Sequence, residues 1–162
     1  MPVTPGRRGI RKAPAIPADV PPELKAFFEQ VLAYAGRHVY QVDGWYRDNV
    51  AASLTNTQLT RLAGTAADEW IAPRNGTIRT LWIFSTGART AGTLTVAVFK
   101  NAAQLGVVTA VLDGVNTTYK ATQAGFEDMP FNAGDQLDLR ITTTAGWMPV
   151  TADVRAGIEV EI

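Results

Sequence analysis

The chain has 162 residues, 46% of them hydrophobic, with 15 basic and 15 acidic side chains and no cysteine. That apolar content suffices for a packed core and excludes a wholly disordered chain, while the absence of thiols excludes a disulfide framework, thiolate metal sites and a cysteine nucleophile. No apolar run approaches the roughly 18 residues of a membrane-spanning helix, and no apolar segment of the kind found in secretory signals opens the sequence, so neither membrane insertion nor secretion is expected.

The charge is unevenly spread. Residues 1–40 hold six Lys/Arg against three acids, and the remainder is slightly acidic. Residues 1–22 contain Pro2, Pro5, Pro14, Pro17, Pro21 and Pro22, a spacing that forbids a regular helix or a paired central strand. The segment reads as an extended arm, with Arg7, Arg8, Arg11 and Lys12 placed before any acid. Such an arm orders when laid on a partner.

A short helix is predicted over 22–35. Pro21 and Pro22 suit its first turn, Glu23 complements its N-terminus and Gly36 ends it. Leu24, Phe28 and Val31 form an apolar stripe. A helix this short is marginal alone, so the stripe must pack on its own domain or on copies of itself; the reading adopted assigns Leu24, Phe28 and Val31 to an oligomer contact. Residues 37–57 read as a connector, making 23–57 helix plus connector.

From residue 58 onward the pattern changes to period two. Leu94, Val96 and Val98, then Leu137, Leu139 and Ile141, then Ala156, Ile158, Val160 and Ile162 are spaced by two, with Thr, Asp, Arg or Glu in many of the places between. That spacing puts one set of side chains on a core and the other toward water. Strands are predicted near 67–72, 76–85, 92–100, 104–112, 115–121, 123–129, 135–143 and 150–162, with Gly, Asn and Asp turns between most of them. Eight short strands in about a hundred residues specify an all-β fold, a jelly-roll β-sandwich spanning 58–162.

Two stretches resemble a known group. Trp70-Ile71-Ala72-Pro73-Arg74-Asn75-Gly76-Thr77-Ile78 and Phe131-Asn132-Ala133-Gly134-Asp135-Gln136-Leu137-Asp138-Leu139 are similar to strand entries in the jelly-roll heads of viral and bacteriophage fibres and of C1q/TNF-like trimers. Phe99-Lys100-Asn101 with Gly106 resembles a hairpin of the same heads, with Ala102 where they carry Gly. The front end, from Pro14 to Leu24 with Phe27 and Phe28, resembles the start of small phage tail-tip and fibre proteins. The resemblance implies homotrimeric assembly, an N-terminal attachment arm that binds other virion proteins, and a distal β head that covers a surface or touches a host. It implies a virion location, with assembly in the host cytoplasm. No shaft repeat of a long fibre is present.

Candidate chemistry is sparse. The one histidine, His38, cannot form a multi-histidine metal site, and no nucleophile elbow accompanies it. Asp68-Glu69, Glu127-Asp128 and Asp135 with Asp138 are the notable acid clusters. A glycosidase needs two carboxylates across a sugar, but strand edges and turns account for these. Calcium loops are missing. Four basic residues without interleaved aromatics make a weak nucleic-acid footprint. Trp70 and Trp82 lie in strand patterns and read as core; Trp45 and Tyr46 read equally as seam fillers between subunits. Trp147, in a Thr-rich loop, reads either as a plug in the sandwich end or as a contact for a host-surface glycan.

Taken with that resemblance, these residues lead to the expectation of a non-enzymatic bacteriophage virion protein without cofactor or metal, preferably a tail-tip or tail-fibre component. A head decoration or head-fibre protein is the alternative within that class, and a carbohydrate-binding receptor-recognition module the alternative outside it.

Overall fold

The computed structural model describes residues 39–61, 68–125 and 128–162, together with Lys25. The chain divides into two compact units, Met1–Arg37 and His38–Ile162, and every strand below belongs to the second. The arm residues Arg7, Arg8, Arg11 and Lys12, the stripe residues Leu24, Phe28 and Val31, and His38 lie outside the described residues.

Among the described residues, eleven strands follow in order: β1 (Val39–Arg47), β2 (Thr57–Gln58), β3 (Thr60–Arg61), β4 (Trp70–Ile71), β5 (Gly76–Ser85), β6 (Leu94–Lys100), β7 (Ala103–Leu112), β8 (Tyr119–Gln123), β9 (Pro130–Phe131), β10 (Gln136–Thr143) and β11 (Val154–Glu161). One sheet runs β3-β1-β11-β5-β8, with β9 also on β5; the other runs β2-β10-β6-β7, with β4 also on β10. All the strand pairs are antiparallel.

The short strands are interruptions of longer runs. β2 and β4 pair with successive parts of β10, and β8 and β9 with successive parts of β5. Eight runs remain, ordered 1-8-3-6 in one sheet and 2-7-4-5 in the other. Each sheet therefore interleaves early and late runs, the arrangement of two Greek keys wound into a jelly roll. At one corner, β2 pairs with β10 and β3 with β1. Leu59 sits between them, fully buried, and its N–H donates to the Leu139 carbonyl at 2.9 Å.

The alternating residues fill the space between the sheets. Leu137, Leu139 and Ile141 of β10 face inward with Val96 and Val98 of β6, opposite Ala156, Ile158 and Val160 of β11 and Leu81 and Ile83 of β5. All are buried. Burial of such side chains is worth about 1.5–3 kcal/mol each before conformational entropy is charged against it.

Several boundaries differ from the sequence expectation, for local reasons. The connector over 37–57 contains β1, so the sandwich begins at Val39 rather than at residue 58. A bulge lies between Asp43 and Trp45, with Gly44 at φ 105°. Tyr40 and Val42 share a face with Trp45, so the inward series runs 40, 42, 45 and period two is broken. The strand expected over 115–121 starts only at Tyr119, because the Asp113 carboxylate accepts the Val115 and Asn116 N–H groups and holds a turn there. The strand expected over 123–129 reduces to the end of β8 and a link to β9. Where β6 meets β7, Ala97 faces Thr109 but Phe99 faces Gln104. Several residues of β7 thus stand opposite Val98 alone, and Val107 is 90% exposed at this bulge. The bulge interrupts what would otherwise be a flat, uncharged edge strand.

The β6–β7 hairpin closes through Asn101 and Ala102, at φ 50° and 69°, between paired Lys100 and Ala103. Two central residues with positive φ define the turn that matches sheet twist, and its second position favours glycine. Ala102 occupies it at a steric cost of about 1–2 kcal/mol. Ala102→Gly is therefore expected to raise stability by up to about 1 kcal/mol despite the added chain entropy; a lower urea midpoint than wild type would contradict the turn assignment.

Candidate functional site

The stretches that resemble viral heads are far apart in sequence and adjacent in space. Trp70 pairs with Leu137 and Ile71 with Gln136, while Gly76 pairs with Phe131. The Ala72 N–H donates to the Asp135 carbonyl at 2.9 Å, and the Gly134 N–H returns to the Ala72 carbonyl at 2.8 Å. Asn75 Oδ1 accepts the Ala133 N–H at 2.8 Å. Trp70 meets Phe131 edge-on, with ring centroids 5.7 Å apart. Gly134 sits at φ 89°, as its tight turn requires.

Asp135 is the centre of this corner. One carboxylate oxygen accepts the Asn132 N–H at 2.8 Å and the other accepts Asn101 Nδ2 at 2.8 Å; Lys100 Nζ stands 3.9 Å away. Asn101 Oδ1 accepts the Gln136 N–H, and the Asn101 N–H donates to the Gln136 carbonyl. The backbone hydrogen bond from Asn132, then the Asn101 amide, holds the Asp135 carboxyl below its ordinary range.

The other candidate acids have structural partners. Asp68 accepts the Arg61 N–H, Glu69 accepts Gln58 Nε2, and Asp128 accepts the Gly125 N–H; Glu127 lies outside the described residues. Asp138 is 2% exposed and bonded to Arg140 at 2.7 Å, and burial pushes its pKa up despite that partner. Arg140 in turn lies over the Phe99 ring, 4.3 Å from its centroid. Among the described residues, no group of three His, Cys, Asp or Glu could hold a metal ion, and no helix is long and apolar enough to cross a membrane.

Trp147 requires a correction as a ligand contact. It is fully buried, and its indole N–H donates to the Val50 carbonyl at 3.1 Å. Trp45 is likewise core rather than seam, fully buried with its indole N–H on the Asp68 carbonyl at 2.9 Å. Trp82, expected in the core, pairs with Gly157 and Ala121 on the outward side of its sheet. Its indole covers Gly157 so closely that a Cβ there would meet the ring at 2.5 Å.

The outward face of that sheet carries a feature the sequence reading missed. Thr60, Tyr46, Arg155, Phe84 and Tyr119 are successive cross-strand neighbours on β3, β1, β11, β5 and β8. Four strand spacings make the row about 19 Å long. Phe84 is 41% exposed and Tyr119 54%. Beside Tyr46 and Arg155 opens a cleft of about 270 Å³, also lined by Asp48, Thr86 and Asp153. Its floor is braced: Asp153 Oδ1 accepts the Asn49 N–H at 3.0 Å, and the Asp153 N–H donates to Thr86 Oγ1 at 2.9 Å. Among the described residues, Arg155 has no hydrogen-bond or ion-pair partner. A second cleft, of about 400 Å³, lies at the opposite end of the sheet among Tyr40, Val42, Trp70, Pro73, Arg74 and Ile162.

No protein-family model and no curated protein matches the chain. Among solved structures, it is similar to a chain in the cryo-EM structure of the giant freshwater prawn Macrobrachium rosenbergii extra small virus (XSV) VLP. Identity is 14% and the TM-score 0.35, over 99% of this chain and 93% of that one. The jelly-roll assignment rests on the strand order above, not on that likeness.

Two outcomes follow from the buried and bridging groups. Trp147→Ala is expected to cost about 3–5 kcal/mol in urea unfolding, as a core tryptophan should, and Trp147→Phe about 1–3 kcal/mol through the stranded Val50 carbonyl; wild-type stability in both would contradict the burial. Because the folded Asp135 carboxyl is depressed, its contribution is present above the ordinary aspartate range near pH 4 and lost as pH falls through the lower folded value. Urea midpoints measured downward from pH 6 should therefore fall less steeply in Asp135→Asn than in wild type, with Asp113, also depressed, supplying a residual slope.

Proposed function

We propose that this chain is a non-enzymatic structural protein of a bacteriophage virion, and specifically a small tail-tip or tail-fibre component. In this reading residues 1–22, through Arg7, Arg8, Arg11 and Lys12, attach it to another virion protein. The sandwich is the distal head, and three copies associate through Leu24, Phe28 and Val31. The observation that supports the reading best is the corner built on Asp135. The three stretches that resemble viral jelly-roll heads are brought together there by direct hydrogen bonds. A chance resemblance in separate segments has no reason to converge on one structural unit.

Fold alone does not assign function; the jelly-roll strand order makes a virion role compatible, and the resemblance directs it to phage particles. A head decoration or head-fibre protein gripping the capsid is the second placement, differing only in what the arm holds. The carboxylates singled out in the sequence serve turns, strand ends and an ion pair, which favours a scaffold over a hydrolase.

Immunogold labelling of intact particles with antibodies to the sandwich is expected to mark the tail tip or fibre; label spread over the capsid would select the decoration reading, and absence from purified particles would refute a virion role. Replacing Arg7, Arg8, Arg11 and Lys12 together by Gln should leave circular dichroism unchanged and reduce incorporation severalfold. Light scattering of the full chain should give the mass of a trimer.

A further inference from the structure

We propose that the outward face of the β3-β1-β11-β5-β8 sheet is a binding site for a neutral saccharide, with Tyr46, Phe84 and Tyr119 as stacking surfaces and Arg155, Asp48 and Asp153 as the polar contacts. The placement as a host-facing surface rests on the head being distal, as proposed above; the site's chemistry does not.

The face departs from what an outward sheet surface needs. Solvated positions on a strand are normally polar, yet this row offers Phe84 and Tyr119 on adjacent strands and Tyr46 one strand beyond Arg155. Single exposed apolar residues need no explanation, but an aligned set rimmed by polar groups marks an interaction surface. The platform is rigid, because β1, β11, β5 and β8 are hydrogen-bonded throughout the row. Stacking surfaces fixed before binding lose little entropy when a ligand arrives.

The cleft at one end sets the chemical class. Arg155 supplies unengaged donors, Asp48 is exposed, and Asp153 is held in place by Asn49 and Thr86. One guanidinium against two carboxylates leaves a local charge of about −1 at neutral pH. That balance disfavours phosphate, nucleic acid and acidic sugars, whose anionic groups the two carboxylates would repel. It also disfavours a purely apolar ligand, which would desolvate three charges without repayment. A ligand with apolar C–H faces and a rim of hydroxyls satisfies both halves. Hydroxyls donate to the carboxylates and accept from the guanidinium, and the C–H faces lie on the rings. A neutral oligosaccharide has that constitution.

The experiment uses the full-length protein on an array of neutral and acidic oligosaccharides, followed by calorimetric titration of the strongest neutral binder. Tyr119→Ala and Arg155→Ala, both at exposed positions, are each expected to weaken binding about tenfold or more with unchanged melting temperature. Phe84→Trp, which preserves the stacking surface, should retain binding. Trp147→Phe should not alter affinity in the folded protein. No binding to any neutral glycan, a preference for acidic glycans, or affinity untouched by Tyr119→Ala and Arg155→Ala would each overturn the site. So would finding that these variants abolish only capture of a protein partner. Particle incorporation of the same variants separates the two proposals: normal incorporation with lost glycan binding supports both, and normal incorporation without any glycan binding removes the site while leaving the virion role standing.

Discussion

The Asp135 carboxylate fixes the structure where two sheets, three chain segments and one hairpin meet. β10 lies inside its sheet, and every inward residue from Leu137 to Thr143 depends on its register. A slip of one residue would send Asp138 and Arg140 into the core and Leu139 into solvent. Asp135 prevents that slip at the entry of the strand, by accepting from Asn132 behind it and from Asn101 across the sheet. Asn101 completes the lock by exchanging backbone and side-chain hydrogen bonds with Gln136. The Asp135 carboxylate oxygens are thus committed to structure.

The strand order places a demand that this corner meets. In a jelly roll most neighbours in a sheet are distant in sequence, so their pairing must overcome a large loop-closure entropy before burial rewards it. Here β1 pairs with β11, the two ends of the sandwich. The segment 57–61 ties β1 to β10 through β3 and β2, with Leu59 buried at the join. Trp45 and Trp147 fill the interior and spend their polar N–H groups on the carbonyls of Asp68 and Val50. The first bridge connects strand β1 to an irregular segment and the second joins two irregular segments, so the loops are secured by buried aromatic anchors.

Legibility in the sequence followed whether local pattern and tertiary role agreed. β5, β6, β7, β10 and β11 read correctly to within a few residues, because alternating residues meet a single core. β1 was hidden by its bulge at Gly44, which makes 40, 42 and 45 the inward positions and leaves no period to detect. Of the expected 123–129 strand, Ala124 keeps a cross-strand hydrogen bond to the Arg79 carbonyl, and the Asp128 carboxylate then accepts the Gly125 N–H in the turn that follows. The tryptophans resisted assignment because a loop tryptophan and a core tryptophan look alike until the chain folds. Trp147 has the exposed-looking neighbours of a loop and no exposure. Trp82 has the apolar neighbours of a core strand and an outward direction.

That last reversal carries the functional point. Leu81-Trp82-Ile83-Phe84 is a continuous apolar run, and such a run specifies a strand buried on both faces. The structure buries only Leu81 and Ile83 fully. Trp82 recovers burial by lying over Gly157, which explains the glycine on the outward side between Ala156 and Ile158 of β11. Phe84 has no such neighbour and stays 41% exposed, forgoing on the order of 1 kcal/mol that burial would return. Tyr119 across the pair and Tyr46 two strands away make the same sacrifice in part. The outward direction of these positions is set by register and not by hydrophobicity. On the saccharide-site proposal, the aromatic row is explained by what it meets outside the domain, and the charges of Arg155, Asp48 and Asp153 beside it set the chemistry of that encounter.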